Sequence, residues 1–119
     1  MNSGSKLAGR LSGAITTTGS ERSTVLPDVP TAREQGLDFE VNTWQGLFLP
    51  KGVPEPIVRR LNEALSSALD MPAVRTRFAE IGEEVAAPDR RSPEYFAQFV
   101  AKEIERWSGP IRASGASVD

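Results

Sequence analysis

The segment from Phe39 to Pro50 constrains the fold more than any other part of the sequence, because it has the pattern of a strand. Its β-branched and aromatic residues favour extended structure, and Pro50 ends the pattern because proline cannot donate to a ladder. The part formed by Leu47-Phe48-Leu49 is apolar on both faces, which is typical of an inner strand covered by helices on each side. Helical patterns follow it and can supply that cover. The sequence therefore predicts an α/β fold in which residues 39–49 form the central strand.

Two further segments predict strands beside the central one. Residues 11–17 carry a Thr-rich end, and a turn at Gly19-Ser20 follows them. Residues 84–86 predict a short edge strand. A sheet of two or three strands is rarely stable without cover, so its open edges and the apolar helix faces predict a homo-oligomer. We expect the central strand or the helix at Ile57–Leu69 to lie at its interface.

Local signals mark the first helices. The run from Thr31 to Glu34 has the spacing of a capping box, in which the threonine hydroxyl and the glutamate carboxylate each accept a backbone N–H. Gly36 is expected to end this short helix in the left-handed conformation. Apolar residues then recur at helical spacing over Ile57–Leu69, with charged residues between them. The sequence therefore predicts a short capped helix and a longer amphipathic one.

Two more helices are expected in the last part of the chain. Pro72 begins a second apolar stripe that Gly82 closes. Ser92-Pro93 opens the last helix, with serine as N-cap and proline at its first position. Within that helix, Gly109-Pro110 predicts a kink or an early end, because proline lacks the N–H and clashes with the preceding turn.

Composition excludes several classes of function. The chain has 119 residues, 14 of them basic and 16 acidic, without histidine or cysteine. Disulfides, thiolate nucleophiles, Cys-type zinc sites and a Ser-His-Asp triad therefore cannot form within it, and we expect no enzyme, metal or cofactor. The charges are interspersed, which argues against nucleic-acid binding by a basic face. No run is long and apolar enough for a transmembrane helix, and the start lacks the apolar core of a signal peptide.

Seven segments, in order, resemble one bacterial family. They are Ile15-Thr16-Thr17-Thr18, Glu21-Arg22-Ser23, Leu26-Pro27-Asp28-Val29-Pro30-Thr31, Phe39–Gly46, Pro50–Pro54, Val58–Asn62 and Glu103–Trp107. The ordered set resembles the substrate-binding receptors of tripartite tricarboxylate transporters, also called the Bug family. The resemblance runs from about Arg10 to the C-terminus, and its most specific part is the Leu-Pro-Asp-Val-Pro-Thr run followed by the Trp-Gln-Gly segment.

The resemblance implies a fold, a function and a location. It implies the C-terminal part of a type II periplasmic-binding-protein-like α/β fold, with a small sheet flanked by three or four helices. Receptors of this family are periplasmic, close two lobes on a small carboxylate and work with the membrane components of a transporter. Residues 10–119 are expected to be a partial substrate-binding domain from a fragment or shortened form, and residues 1–9 a leader or disordered end. The alternative is a non-catalytic interaction module that oligomerises or pairs with a separate half.

Two groups of residues are candidates for ligand binding. Thr16, Thr17 and Thr18 end a predicted strand, where ligands of open α/β sheets bind, and their hydroxyl and N–H groups can hold a carboxylate. Their alternative role is ordinary strand structure. Trp44 and Gln45 precede Gly46, where a ligand or backbone can approach closely, and Trp44 is either a pocket wall or core. The basic pairs Arg59-Arg60 and Arg90-Arg91 are expected to be solvated surface charge.

Overall fold

The structure is a computed structural model that describes residues 15–117. Its α-helices in this range are α1 (Glu55–Leu69), α2 (Pro72–Glu80) and α3 (Pro93–Ser114), and short 3₁₀ turns lie at Arg33–Gln35 and Pro88–Arg90. The chain divides into two compact units. Among the described residues, the first unit contains residues 15–48 together with Asp70–Val85, and the second contains Leu49–Leu69 and residues 86–117.

The prediction of a small sheet flanked by helices is wrong for residues 15–117, none of which belongs to a strand of a sheet. An isolated parallel bridge joins Thr17 to Thr31. In it, the Thr17 N–H donates to the Pro30 carbonyl at 2.9 Å, and the Ala32 N–H donates to the Thr17 carbonyl at 2.8 Å. The pairing stops there because the chain bends at Gly19 and enters a 3₁₀ turn after Ala32. Residues 11–14 of the first predicted strand lie outside the described residues.

The predicted central strand, residues 39–49, is irregular in the structure. The Val41 N–H donates to the Thr18 carbonyl at 2.8 Å, which joins the start of the segment to the threonine run. Further along, Leu47 is 59% exposed and Phe48 is 66% exposed. Strand propensity produces a strand only where a neighbouring segment supplies the alternating hydrogen bonds and the packing. The predicted edge strand at residues 84–86 is also irregular, and the chain continues from it into the second 3₁₀ turn.

The predicted helix starts and ends are largely confirmed. Glu55 begins α1 directly after Pro54, and Pro72 occupies the first turn of α2. The left-handed Gly82, with φ of 77°, follows the end of α2, as the sequence indicates. Ser92 caps α3 by accepting the Tyr95 N–H at 3.1 Å, with proline at the next position. Each of these caps and helix ends depends on residues a few positions apart, so it can form whether or not distant segments are in contact.

The predicted interruption of the last helix at Gly109-Pro110 does not end it, because α3 continues to Ser114 with Pro110 inside it. Proline removes one backbone hydrogen bond, but its fixed φ near –65° is itself helical, so the following residues can keep the helical path. The helix ends at Gly115, which is left-handed with φ of 69°. The cost of Pro110 is therefore a weakened last part of α3 rather than a shortened helix.

Side-chain bonds hold the second unit together. Helices α1 and α3 contact each other in this unit. The Asn62 side chain on α1 donates to the Arg91 carbonyl at 2.6 Å. The Arg91 guanidinium in turn donates to the Ser66 carbonyl at 3.3 Å and to the Ala86 carbonyl at 2.7 Å. Arg91 thus connects the segment before α3 to the middle of α1.

The described residues bury few side chains. Thr31 and Ala32, each 2% exposed, are the buried residues within 15–117. Large apolar side chains remain exposed in both units, including Ile15, Leu37, Phe39, Leu47, Phe48, Ile57, Met71, Ile81, Ile104 and Ile111. A self-sufficient domain of about 100 residues buries well over half of the surface of its unfolded chain. The burial within these residues is therefore far below that of a domain that stands alone.

Candidate functional site

The candidate threonines lie where three segments of the first unit meet. Thr17 pairs with residues 30–32 through the isolated bridge, and Thr18 is bound to Val41 on the segment that carries Trp44. The loop after them is tight, since a Cβ added at Gly19 would lie 3.2 Å from the Glu21 carbonyl oxygen and 3.3 Å from Asn42 Oδ1. The structure thus gathers the three threonines, the Pro30–Ala32 run and the start of the 41–45 segment.

The three threonine hydroxyls are not equivalent. Thr16 Oγ1 donates to the carbonyls of Thr17, at 3.2 Å, and Pro30, at 3.3 Å. Thr18 Oγ1 donates to the Val41 carbonyl at 2.8 Å. Thr17 Oγ1 is buried and has no hydrogen-bond partner among the described residues. A hydroxyl has one hydrogen to donate, and Thr17 is the one of the three threonines whose hydroxyl hydrogen is not used by the described residues.

Trp44 and Gln45 lie on the irregular segment that follows Val41. Trp44 is 39% exposed, so it is neither core nor fully solvated. Gln45 is exposed, and the described hydrogen bonds that reach this segment from Thr18 stop at Val41. The structure therefore places both residues in the same unit as the threonines but does not bring Gln45 into the threonine hydrogen bonds.

The predicted capping box is confirmed and has a partner that the sequence analysis missed. The Glu34 carboxylate accepts the Thr31 N–H at 2.8 Å, and the Thr31 hydroxyl accepts the Glu34 N–H at 3.2 Å. Arg22 Nε also donates to both Glu34 carboxylate oxygens, at 3.0 and 2.9 Å. The hydrogen bond from Arg22, with that from the Thr31 backbone, lowers the pKa of Glu34 to about 2. The spacing of twelve residues between Arg22 and Glu34 carries no local signal, so only the folded chain shows the pair.

The arginines of the first unit near the threonines are paired with carboxylates. Arg22 is bound to Glu34, and Arg33 lies 3.1 Å from Glu40 and 3.7 Å from Asp38. An anion at the threonines would therefore depend on N–H and hydroxyl donors rather than on these guanidinium groups.

One arginine of each basic pair, Arg59 and Arg91, is bonded to other segments rather than simply solvated, whereas Arg60 and Arg90 are exposed as expected. Arg59 donates to Glu55 at 2.7 Å and to both oxygens of Glu94, and this bonding lowers the pKa of the Glu94 carboxyl. Arg91 is half-buried and bound to backbone carbonyls, as described above. These side chains join separate segments, which is a structural role.

The described residues contain neither a metal site nor a membrane helix. Within residues 15–117, no three acidic side chains converge in a way that could hold a metal ion. No helix in this range has the length and apolar character needed to cross a bilayer.

Comparison with known proteins points to transport. Residues 7–116 match the tripartite tricarboxylate transporter family receptor, TctC. A protein from the ttuE-ttuC' intergenic region of Agrobacterium vitis is 44% identical over 103 residues, which are 86% of this chain and 29% of that protein. The protein BugT of Bordetella pertussis is 37% identical over 106 residues, 88% of this chain and 32% of BugT. A protein from the tcbD-tcbE intergenic region of a Pseudomonas species is 40% identical over 96 residues.

The match covers nearly the whole of this chain but only a part of each relative. The chain spans about a third of the length of the curated relatives it matches, 29% and 32% for the first two. The resemblance noted in the ordered segments, from Ile15-Thr16-Thr17-Thr18 to Glu103–Trp107, is thus confirmed over residues 7–116. The chain belongs to the tripartite tricarboxylate transporter receptor family.

Proposed function

We propose that this chain contributes part of an extracytoplasmic solute-binding receptor that takes up a small carboxylate. The observation that carries the proposal is the match of residues 7–116 to the transporter receptor family. The receptor is periplasmic, has no catalytic activity and passes its ligand to the membrane components of the transporter. Lobe closure around a carboxylate held by N–H and hydroxyl donors is the mechanism that suits such a ligand.

Within this chain, Thr17 is the residue that we assign to the carboxylate, with Thr16 and Thr18 as its supports. The Thr17 hydroxyl is buried without a partner among residues 15–117, whereas its two neighbours use their hydrogens to hold the carbonyls of Pro30 and Val41. A buried hydroxyl without a partner is costly, so a ligand that accepts its hydrogen recovers that cost. Trp44 and Gln45 extend the proposed site along the 41–45 segment, with Trp44 as a wall.

Binding needs more of the receptor than this chain contains. The chain corresponds to less than a third of the length of the Agrobacterium relative, and its paired arginines leave few cationic groups for an anion. We therefore expect the chain alone to bind small carboxylates weakly or not at all. The predicted homo-oligomer stays a prediction, and its main motive, the open sheet edges, has no counterpart in residues 15–117.

The test uses the chain alone and a chimera in which it replaces the matching part of the Agrobacterium relative. Calorimetry with citrate, malate, aspartate and benzoate is expected to show binding of at least one acid by the chimera only. Thr17→Val, which keeps the shape and removes the hydroxyl, should weaken that binding at least about tenfold, because a hydrogen bond to a charged group contributes about 1.5–3 kcal/mol.

The matched control is Thr24→Val, at an exposed threonine in a turn of the same unit. It should leave the affinity unchanged. Tight binding by the chain alone would contradict the need for the rest of the receptor. A chimera that binds none of the acids, or a Thr17→Val chimera with unchanged affinity, would contradict the proposed function or the proposed residue, respectively.

A further inference from the structure

The loop between Thr18 and Thr31 begins and ends at the isolated bridge that contains Thr17. Its two ends are joined by backbone hydrogen bonds, from the Thr17 N–H to the Pro30 carbonyl at 2.9 Å and from the Ala32 N–H to the Thr17 carbonyl at 2.8 Å. A short pairing without a longer ladder is only marginally stable by itself. The position of Thr17 therefore depends on what else holds the loop.

Arg22 connects this loop to the capping box. Its Nε donates to the two Glu34 carboxylate oxygens at 3.0 and 2.9 Å, and its Nη1 donates to the Pro27 carbonyl at 3.1 Å. The same Glu34 carboxylate accepts the Thr31 N–H at 2.8 Å. One side chain at the start of the loop thus holds the middle of the loop and, through Glu34, the end that pairs with Thr17.

The pair of Arg22 and Glu34 differs from an ordinary surface ion pair, although each side chain is 45% exposed. An isolated surface pair contributes little to stability, because water solvates both partners as well. Here the carboxylate also accepts the backbone N–H of Thr31, a residue that is 2% exposed, and the guanidinium also holds a backbone carbonyl. Charge-assisted hydrogen bonds that share their partners reinforce one another, so the loss of Arg22 should weaken the bond at Thr31.

The charged groups around Glu34 make Arg22 the cation that keeps it ionised. The hydrogen bond from Arg22 is the main cause of the low pKa of Glu34, about 2, and the charge of Asp28 acts on Arg22 in turn. Arg33, on the same turn as Glu34, is paired with other carboxylates and lies 3.1 Å from Glu40. Without Arg22 the Glu34 carboxyl should take up a proton at higher pH, and a neutral carboxyl accepts hydrogen bonds less strongly.

The loop has a second attachment that does not involve Arg22. Gly82, at the end of α2, is left-handed with φ of 77°, and a Cβ added to it would lie 3.1 Å from Val25 Cγ2. Val25 therefore packs directly on the backbone of Gly82. Because this contact does not depend on the guanidinium, replacing Arg22 should loosen the pairing at the bridge without releasing the whole loop.

We propose that Arg22 is a positioning residue of the carboxylate site: acting through Glu34 and Thr31, it holds the loop against Thr17 and so fixes where the Thr17 hydroxyl lies. The inference rests on the proposed function, because it takes Thr17 to be the residue that meets the ligand. Arg22 acts without contacting the ligand, since its guanidinium is already bonded to Glu34 and Pro27. By keeping Glu34 ionised, it also keeps the site intact in mildly acidic surroundings.

The first part of the test needs no ligand and follows amide exchange in this chain by NMR. The control is Arg77→Gln, which removes an arginine that lies 3.0 Å from Glu80 on α2 in the same unit. We expect the Thr17 and Ala32 amides to exchange at least about tenfold faster in Arg22→Gln and within about twofold of the unchanged chain in Arg77→Gln, since only the first variant eases local opening at the bridge. Equal exchange in Arg22→Gln and the unchanged chain would overturn the proposal.

The second part measures carboxylate affinity by calorimetry in the chimera with the Agrobacterium relative. Arg22→Gln should weaken binding about fivefold at neutral pH, as expected for residues coupled in one network. The ratio to the unchanged chimera should grow about twofold further at pH 4.5, where half of a Glu34 carboxyl with its ordinary pKa is protonated. Protonation of the ligand cancels in this ratio, because both proteins meet the same ligand.

Arg22→Lys separates the role of the charge from a general structural loss. Lysine keeps a cation beside Glu34, so the ratio for this variant should stay constant between neutral pH and pH 4.5. A ratio that grows equally in Arg22→Lys and Arg22→Gln would overturn the proposal, because the ionisation of Glu34 would then not depend on the charge of residue 22.

A double variant tests whether Arg22 acts through Glu34. We expect Arg22→Gln combined with Glu34→Gln to bind within about twofold of Glu34→Gln alone, because two residues of one pathway do not contribute additively. Additive losses would overturn the proposal, since Arg22 would then act on the ligand or on another segment. A chimera that binds no acid would contradict the proposed function, whereas the exchange rates of the Thr17 and Ala32 amides would still decide whether Arg22 positions the loop.

Discussion

At the scale of single residues, Glu34 organises the polar contacts of the first unit. Its carboxylate accepts a hydrogen from the Thr31 backbone at 2.8 Å and two hydrogen bonds from Arg22. Thr31 is one of the two buried residues within 15–117, so this capping box lies at the best-packed point of the described chain. Thr31 also pairs with Thr17, and the bonds of Glu34 therefore support the residue to which we assign the carboxylate.

The ionisation of Glu34 gives a prediction in acid. Because the pKa of Glu34 is lowered from 4.5 to about 2 in the folded chain, its contribution to stability is complete above pH 4.5. That contribution is lost as the pH falls through about 2, where the folded carboxylate takes up its proton. Arg22→Gln should raise the pKa of Glu34 toward its ordinary value, so that the amide signals of Thr31 and Glu34 titrate at higher pH by NMR.

Arg60→Gln serves as the control for this titration. Arg60 lies 3.8 Å from Glu63 in the other unit, so its loss should leave the midpoint at Glu34 unchanged. Equal midpoints in the Arg22→Gln variant and the unchanged chain would show that Arg22 does not hold the carboxylate in solution.

At the scale of elements, α3 keeps its length in spite of an internal proline. The helix runs from Pro93 to Ser114, and Pro110 leaves the Arg106 carbonyl without the N–H that a helix normally provides. Nearby side chains bond to the last turns, with Ser108 Oγ donating to the Glu105 carbonyl at 2.9 Å and Ser114 Oγ to the Ile111 carbonyl at 2.8 Å. The end of α3 is therefore formed but weaker than its start.

Replacing Pro110 should strengthen this end. Pro110→Ala restores the hydrogen bond and removes the clash, which should stabilise the last turns of α3 by up to about 3 kcal/mol. The control, Pro93→Ala at the first helical position, should change stability little, because proline is well suited to that position. Amide exchange of residues 111–114 measures the effect, and equal exchange in the Pro110→Ala variant and the unchanged chain would contradict it.

At the scale of the whole molecule, the described chain is stabilised mainly by local bonds. The hydrogen bonds, caps and ion pairs of both units are numerous, but the buried residues in the range 15–117 are Thr31 and Ala32. Surface ion pairs contribute about 0–1 kcal/mol each, so they cannot replace a core. The apolar side chains that would form a core are present and exposed, among them Phe48 and Ile104.

The heat of unfolding should show this lack of core. Globular domains unfold with about 0.7 kcal/mol of enthalpy per residue near 60 °C, in one cooperative transition. We expect the chain alone to unfold in a broad transition with clearly less enthalpy per residue by calorimetry, and the chimera with the Agrobacterium relative to unfold sharply. A sharp transition of full enthalpy in the chain alone would show that it forms a complete domain.

The sequence by itself determined the features that depend on neighbours a few positions away. Thr31 and Glu34 form their capping box, Ser92 caps α3, and glycines follow the helix ends, because each signal satisfies backbone groups within one turn. The ordered segments also identified the family, because members of a family share residues at corresponding positions and these can be recognised without a structure.

Only the tertiary structure decided what depends on distant partners. Residues 39–49 have the composition of a strand but remain irregular, because a strand requires another segment to accept and donate its hydrogen bonds. The pairing of Arg22 with Glu34 and the bonds of Arg91 to α1 join residues far apart in the chain, and they were not predicted. Tertiary structure also determines which threonine hydroxyl lacks a partner. Thr16 and Thr18 donate to the carbonyls of Pro30 and Val41, which are distant in the sequence, whereas the Thr17 hydroxyl has no partner among the described residues.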